Sequence, residues 1–251
     1  MKRRGGGSPL RRLRSVVRML LVLGLLALAG LLLWGYARNH PQDMPWAPLD
    51  LSHPVGAFTG RKLTQLGGEP QQCRALLRNA GIAFTSLPPR RASEQCGYED
   101  AVRLTGGSQR IDYRPGDLGT RCAVAASLAL WEWHVVQPAA LRHFGRRVAA
   151  IGHFGSYSCR RLYGRDEGAW SEHATANAVD IAGFRLEGGR RISIVGDWAG
   201  EDAEARFLRE VRDGACTLFA TVLSPEYNAA HRDHFHFDQA GRGGMGWRAC
   251  R

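Results

Sequence analysis

A chain of 251 residues has room for one domain or two. Its formal charge of +11 invites nucleic acid as a partner, yet Lys2, Arg3, Arg4, Arg11, Arg12, Arg14 and Arg18 come with no acid beside them and leave the remaining residues at only +4. The basicity is mostly a head group; no glycine-rich phosphate loop or nucleophile elbow follows it, and no nucleic-acid partner is expected.

Residues 1–18 read as a basic cytoplasmic head. Met19 to Tyr36 is an uncharged run of 18 residues, about 27 Å as a helix, which just spans a hydrocarbon core of about 30 Å. Trp34 and Tyr36 stand where interfacial anchors belong, and arginines before the run orient the N-terminus inward. The run is long for a signal-peptide core, and Ala27-Leu28-Ala29 lies inside it with more leucine after. An uncleaved signal anchor over 19–36 is the preferred reading and a cleaved signal peptide its alternative.

The part beyond the membrane holds all six cysteines, Cys73, Cys96, Cys122, Cys159, Cys216 and Cys250. An even number confined to an exported segment, with no CxxC, reads as disulfides rather than a cysteine metal site. Cys73 with Cys96 is the expected local pair, and Cys159 with Cys216 the next.

Residues 37–60 are rich in Pro and Gly and read as a linker, leading into a domain over 61–251. EPQQCRALLRNAGI from Glu69 has helical spacing closed by Gly81, and Cys96 to Leu104 reads as a strand. A longer helix is expected from Thr120 to Phe144, kinked or broken at Pro138. RRVAAIGHF reads as a strand and GSYSCR as a loop. NAVDIAGFRL and RRISIVGDW flank Glu187-Gly188-Gly189 as a hairpin. EDAEARFLREVRDGAC reads as a helix, and TLFATVL and HFHFDQ as two more strands. The fold class is α+β, a small and mainly antiparallel sheet with flanking helices.

The stretch HRDHFHFD, His231 to Asp238, gathers three of the nine histidines. On a strand His234, His236 and Asp238 share one face while Phe235 and Phe237 enter the core. A lone His-x-His is commonly structural. The second cluster, SEHATANAVDIAGF, adds His173 and Asp180, separated by small residues. Together the two clusters offer His, Asp and His, a nitrogen and oxygen set suited to Zn²⁺ with a fourth position left for water, the pattern of a catalytic site.

His173-x6-Asp180 followed by His234-x-His236 resembles the signature of the zinc peptidases grouped with lysostaphin, D-alanyl-D-alanine metallopeptidases and hedgehog domains. The resemblance implies that fold, and His173, Asp180 and His236 as zinc ligands. The spacing of His231, His234 and His236 is similar to the penicillin-insensitive murein endopeptidase, where the extra histidines line the site. A wider likeness, through PWAPLDL, KLTQL, SYSCR, SEHATANAVDIAGF and TVLSPEYNAAHRDHFHFD, is to the bacterial extensin-like C-terminal domain family, over roughly residues 45–250.

From these likenesses His234 is expected to take the water proton or stabilise developing charge, ahead of His231 and Asp233. Asp233 matches the position of a carboxylate base in the D-alanyl-D-alanine dipeptidases, although in a regular strand it faces away from His236. Arg160 resembles a substrate-binding arginine of that group, with Ser158-Cys159 departing from the usual spacing. The expected protein is a zinc peptidase on peptidoglycan peptides, of endopeptidase or carboxypeptidase type, anchored in the bacterial inner membrane with its domain in the periplasm. The alternative is a metal-containing cell-wall binding module without turnover.

Overall fold

The computed structural model describes residues 9–105, 111–116, 118–243 and 247–251; Lys2, Arg3 and Arg4 of the basic head lie outside them. Helix α1 (Pro9–Asn39) takes in the apolar run and the arginines before it, about 46 Å in all. None of its residues is buried, and its length and composition meet the requirement of a membrane span and equally of a signal sequence.

The residues from 40 to 58 fold back rather than hang free. Asp43 accepts the Tyr36 hydroxyl (2.8 Å) and the Ala57 N–H (2.8 Å), and Leu49 and Leu51 are buried in the main core. Then come α2 (Thr59–Gln65), α3 (Pro70–Asn79), β1 (Phe84–Ser86), β2 (Arg90–Arg91), β3 (Gly97–Tyr98) and β4 (Ala101–Leu104). The strand expected from Cys96 to Leu104 is thus two strands, parted at Glu99-Asp100. The buried Asp100 breaks the run because its carboxylate receives the Arg121 guanidinium at 2.9 Å.

β5 (Asp112–Arg114) and β6 (Gly119–Arg121) lead into α4 (Cys122–Trp131), all ten residues of which are buried. A helix apolar on every side belongs in the middle of a core, and α4 packs against α2, α3 and α7 (Ala203–Ala215). The expected helix from Thr120 therefore starts at Cys122. It meets Pro138 not with a sharp break but with one wide turn, Glu132–Val136, where Gln137 N–H reaches back five residues to Glu132 O, before α5 (Gln137–Phe144) continues.

β7 (Val148–Gly155), β8 (Ala178–Leu186), β9 (Arg191–Ser193), α6 (Ile194–Asp197), β10 (Thr221–Leu223), β11 (Phe235–Asp238) and β12 (Ala249–Cys250) complete the described elements. The main sheet runs β12-β10-β11-β8-β7-β5, with β9 also on β8. It is antiparallel except where β12 joins β10 and β5 joins β7. β1, β4 and β6 form a smaller sheet, and β2 pairs with β3. The α+β class holds.

One face of the main sheet meets the helices. Phe237 packs on Trp131 (5.2 Å between ring centroids) and Phe219 (4.8 Å), and Phe235 on Trp198 (5.4 Å). The Trp131 indole N–H donates to Val211 O (2.8 Å), tying α4 to α7.

The disulfides are Cys73–Cys122, Cys96–Cys159 and Cys216–Cys250. Neither expected pair forms. Nearness in sequence misled the first: the face of α3 that carries Cys73 packs on α4, and Cys96 sits on the β2–β3 hairpin, which reaches Cys159 in the loop after β7 and leaves Cys216 to Cys250. Each bridge closes a loop of 34 to 63 residues, where a constraint on the unfolded chain stabilises most.

Glu132 is buried inside the wide turn with its carboxyl accepting the Tyr113 hydroxyl. Burial pushes its pKa up to about 8 against the pull of that bond. The folded chain therefore holds a proton that the unfolded chain releases near pH 4.5, and stability falls as pH rises between those values. Glu132→Gln should change the melting temperature little at pH 5 and raise it clearly more at pH 9, where the wild-type carboxyl must ionise in its buried site. Calorimetry at the two pH values checks it.

Candidate metal centre

The other face of the sheet carries the polar cluster. β11 lies antiparallel to β8 with His236 directly opposite Asp180, while Phe235 and Phe237 oppose Ile181 and Val179 on the helix side. Alternation thus delivers His236 and Asp238 to one face, as expected from the sequence, and the pairing sets Asp180 beside His236; His234, expected on the same strand face, precedes the strand.

His173 reaches the same point from a short turn, Glu172–Thr175, whose cap is Ser171. Ala176 then takes a left-handed conformation, φ 54°, which costs an alanine about 1–2 kcal/mol. Three donors hold its carbonyl: Arg121 N–H (2.9 Å), Thr120 Oγ1 (3.0 Å) and Ser156 Oγ (3.2 Å). The bend returns the chain into β8 with His173 over Asp180. Ala174, Ala176 and Ala178 are fully buried there, which is why the segment is written in small residues.

His173 Nε2, His236 Nδ1 and Asp180 Oδ1 stand 3.0–3.1 Å from one another. All three residues are buried, and as a group they could hold a metal ion. The remaining ring nitrogens are spoken for. His173 Nδ1 lies 2.6 Å from Ser156 O, and a carbonyl only accepts, so that nitrogen carries the proton. His236 Nε2 lies 3.1 Å from Asp238 Oδ2, and Asp238 is itself held by Thr221 Oγ1 (2.6 Å) and Ala240 N–H (2.9 Å). With both imidazoles neutral, two nitrogen lone pairs and a carboxylate oxygen face one another at hydrogen-bond distance. Such a meeting needs a cation between them, a proton or a metal.

The electrostatics agree. Burial opposes the charge on Asp180, but the bonds and charge of His173 and His236 outweigh it and hold the carboxyl far below the usual range. Burial likewise opposes charge on His236, yet Asp180 and Asp238 raise it to about 9. A carboxylate behind a ligand histidine is the usual device for fixing its orientation and basicity.

The four residues expected around the metal group all lie near it. His234 precedes β11 rather than belonging to it; its Nε2 is 3.5 Å from Asp180 Oδ1 and its Nδ1 2.8 Å from Asp233 Oδ1. Asp233 thus backs His234 and does not turn towards His236. His231, whose ring centroid is 5.2 Å from that of His234, places Nδ1 2.8 Å from Asn228 Oδ1. Burial, then the neighbouring His234 and His236, push its pKa down to about 4. Arg160, half exposed, has Nη2 4.0 Å from Asp180 Oδ2.

Arg160, His231 and His234 line, together with the metal group, a cleft of about 420 Å³. Tyr163 stands on its rim at φ 58°, its hydroxyl accepting from Asn228 Nδ2 (3.3 Å). Sequence reasoning gave no role to Ser156, Asn228 or Asp238. Asp238 alone carried a signal, through its place two residues from His236 on the same strand face.

The model of the family described as extensin-like protein C-terminus matches residues 71–251. The chain belongs to this family. The matched span contains all six cysteines, His173, Asp180, His236 and every group around them. The motifs at 45–51 and 62–66 lie ahead of it, although Leu49, Leu51 and Leu63 share its core. No curated protein and no solved structure matches the chain.

Metal analysis of the purified chain should find about one ion per molecule, lost in His236→Ala. Asp238→Ala should keep the fold and weaken metal binding about 10- to 100-fold, the usual effect of removing such a backing group. Because the ion must displace a proton from His236, affinity should rise with pH up to about 9; titration calorimetry at several pH values reads both effects.

Proposed function

We propose that this protein is a zinc-dependent peptidase of the periplasm, anchored by α1 in the bacterial inner membrane and acting on peptidoglycan peptides. The observation that carries the reading is a buried His173, Asp180 and His236 group opening on one side to a cleft with its own proton-handling residues. The donor set suits Zn²⁺, since ligand atoms at about 2.0–2.1 Å around a tetrahedral ion stand roughly 3.3 Å apart, close to the 3.0–3.1 Å found. Three protein ligands leave a fourth position open. The resemblance of these motifs to the lysostaphin, D-alanyl-D-alanine metallopeptidase and hedgehog group supports the same assignment and the same substrate class. Three disulfides fit an oxidising compartment.

Bound zinc would lower the pKa of a water molecule and polarise the scissile carbonyl. The chain supplies the rest. His234, its Nδ1–H donated to Asp233, turns Nε2 into the cleft as the acceptor for the water proton and its later donor to the leaving amine. His231, neutral and fixed by Asn228, offers a second polar contact. Arg160 stands where a guanidinium can hold a substrate carboxylate or developing negative charge.

On peptidoglycan fragments the protein should release peptide products, and a chelator should stop the release. His234→Ala should keep its zinc and lose about 100- to 10,000-fold in kcat, the usual worth of a general base. Wild-type protein that carries zinc and binds cell wall yet releases nothing would overturn the peptidase reading in favour of a binding module.

A further inference from the structure

A second cavity, of about 190 Å³, lies away from the metal group and is lined by Arg61, Arg242 and Arg248 with the exposed Trp247 beside them. No carboxylate among the described residues lines it. Among the described residues, none of the three arginines has an ion-pair partner. The guanidinia are held by neutral groups instead: Arg242 by Ala220 O (2.8 Å) and Thr221 Oγ1 (2.5 Å), Arg248 at 3.4–3.5 Å from the carbonyls of Cys216 and Phe219. Arg248 lies flat on Gly60, where any side chain would collide with its guanidinium. Arginine cannot shed its charge in a protein, so three of them around one hollow call for an anion.

The place of the cavity says which anion. Arg61 and Gly60 belong to α2, and the next residue, Lys62, reaches Pro41 O with its Nζ (3.2 Å), two residues beyond the end of α1. The Tyr36–Asp43–Ala57 bonds fix the same corner. α2 is therefore held within one lysine side chain of the point where the chain leaves the apolar helix. There the nearest phosphates are those of lipid headgroups, and an exposed indole beside arginines suits the interface.

We propose that the Arg61, Arg242 and Arg248 cavity binds the phosphate of an anionic phospholipid and docks the domain on the membrane that α1 crosses. The proposal rests on the anchored reading of α1. Guanidinium forks pair with two phosphate oxygens at once, and docking at this corner fixes how the metal cleft is presented to material beyond the membrane.

The test uses the full chain in nanodiscs of phosphatidylcholine with increasing phosphatidylglycerol, reading amide exchange at residues 59–65 and 239–243. Exchange there should slow as phosphatidylglycerol is added. Arg61→Gln should raise the half-effect content about fivefold, the worth of one cation at an anionic surface. Gly60→Ala, which displaces Arg248 but keeps every charge, should do likewise, with its melting temperature as the check on folding. Equal exchange in both lipids, or a Gly60→Ala protein that responds like wild type, would overturn the built site. Protection by inorganic phosphate without any response to the lipid would overturn the membrane occupant. The intact mass of the chain from cell membranes tests the anchor separately: a shortened, soluble product would remove the tether and the proposal with it.

Discussion

The Asp180 carboxylate, buried between two imidazoles, is the constraint around which the rest of the molecule is arranged. A buried charge survives only if it is paired and hydrogen-bonded. Here the pairing comes from one residue opposite on the neighbouring strand, His236, and one from a turn before its own strand, His173. The register between β8 and β11 is therefore not free. A slip by one residue would carry Phe235 or Phe237 onto the polar face and expose His236 to Trp131 and the aromatic core, so both faces of the sheet enforce the same alignment.

That alignment is supported from outside the sheet. The left-handed Ala176 is held by donors from β6 and from the loop after β7, so elements far apart in sequence fix the angle of His173. Strain of this kind persists where the surroundings over-determine it. Cys159, bridged to the β2–β3 hairpin, tethers the loop beside Arg160. The cleft wall is thus anchored to the smaller half of the fold rather than left as a mobile loop.

Much of this was legible in the sequence, for a physical reason in each case. Strand alternation put His236 and Asp238 on one face and the phenylalanines on the other because a period of two leaves no choice. Amphipathic spacing marked α3 and α7. What stayed hidden depends on tertiary proximity. The disulfide map follows how α3 meets α4 and where a hairpin lands, and neither distance is written in the spacing of cysteines. The Ser156 carbonyl behind His173 is a backbone group, invisible to any reading of residue types. Asn228 acts through a capping turn whose neighbour happens to be His231. Asp233 was legible as a carboxylate near the site but not in its role, because that turned on β11 starting at Phe235 and leaving the preceding turn free to fold Asp233 against His234.

The two cleft histidines are not equivalent, and their backing groups show how they differ. His231 donates Nδ1–H to a neutral amide oxygen, and burial, then His234 and His236, push its pKa down to about 4 against the pull of Asp180. His234 donates instead to a carboxylate, Asp233 Oδ1 at 2.8 Å, which fixes the ring's orientation. In the proposed hydrolysis one group must accept a proton from water and return it to an amine, work that falls to a ring oriented towards the reacting atoms. On the same proposal His231 stays neutral and would present a lone pair to a substrate N–H. The proposed function thus gives proton transfer to His234 and orientation to His231, the one held by Asp233 and the other by Asn228.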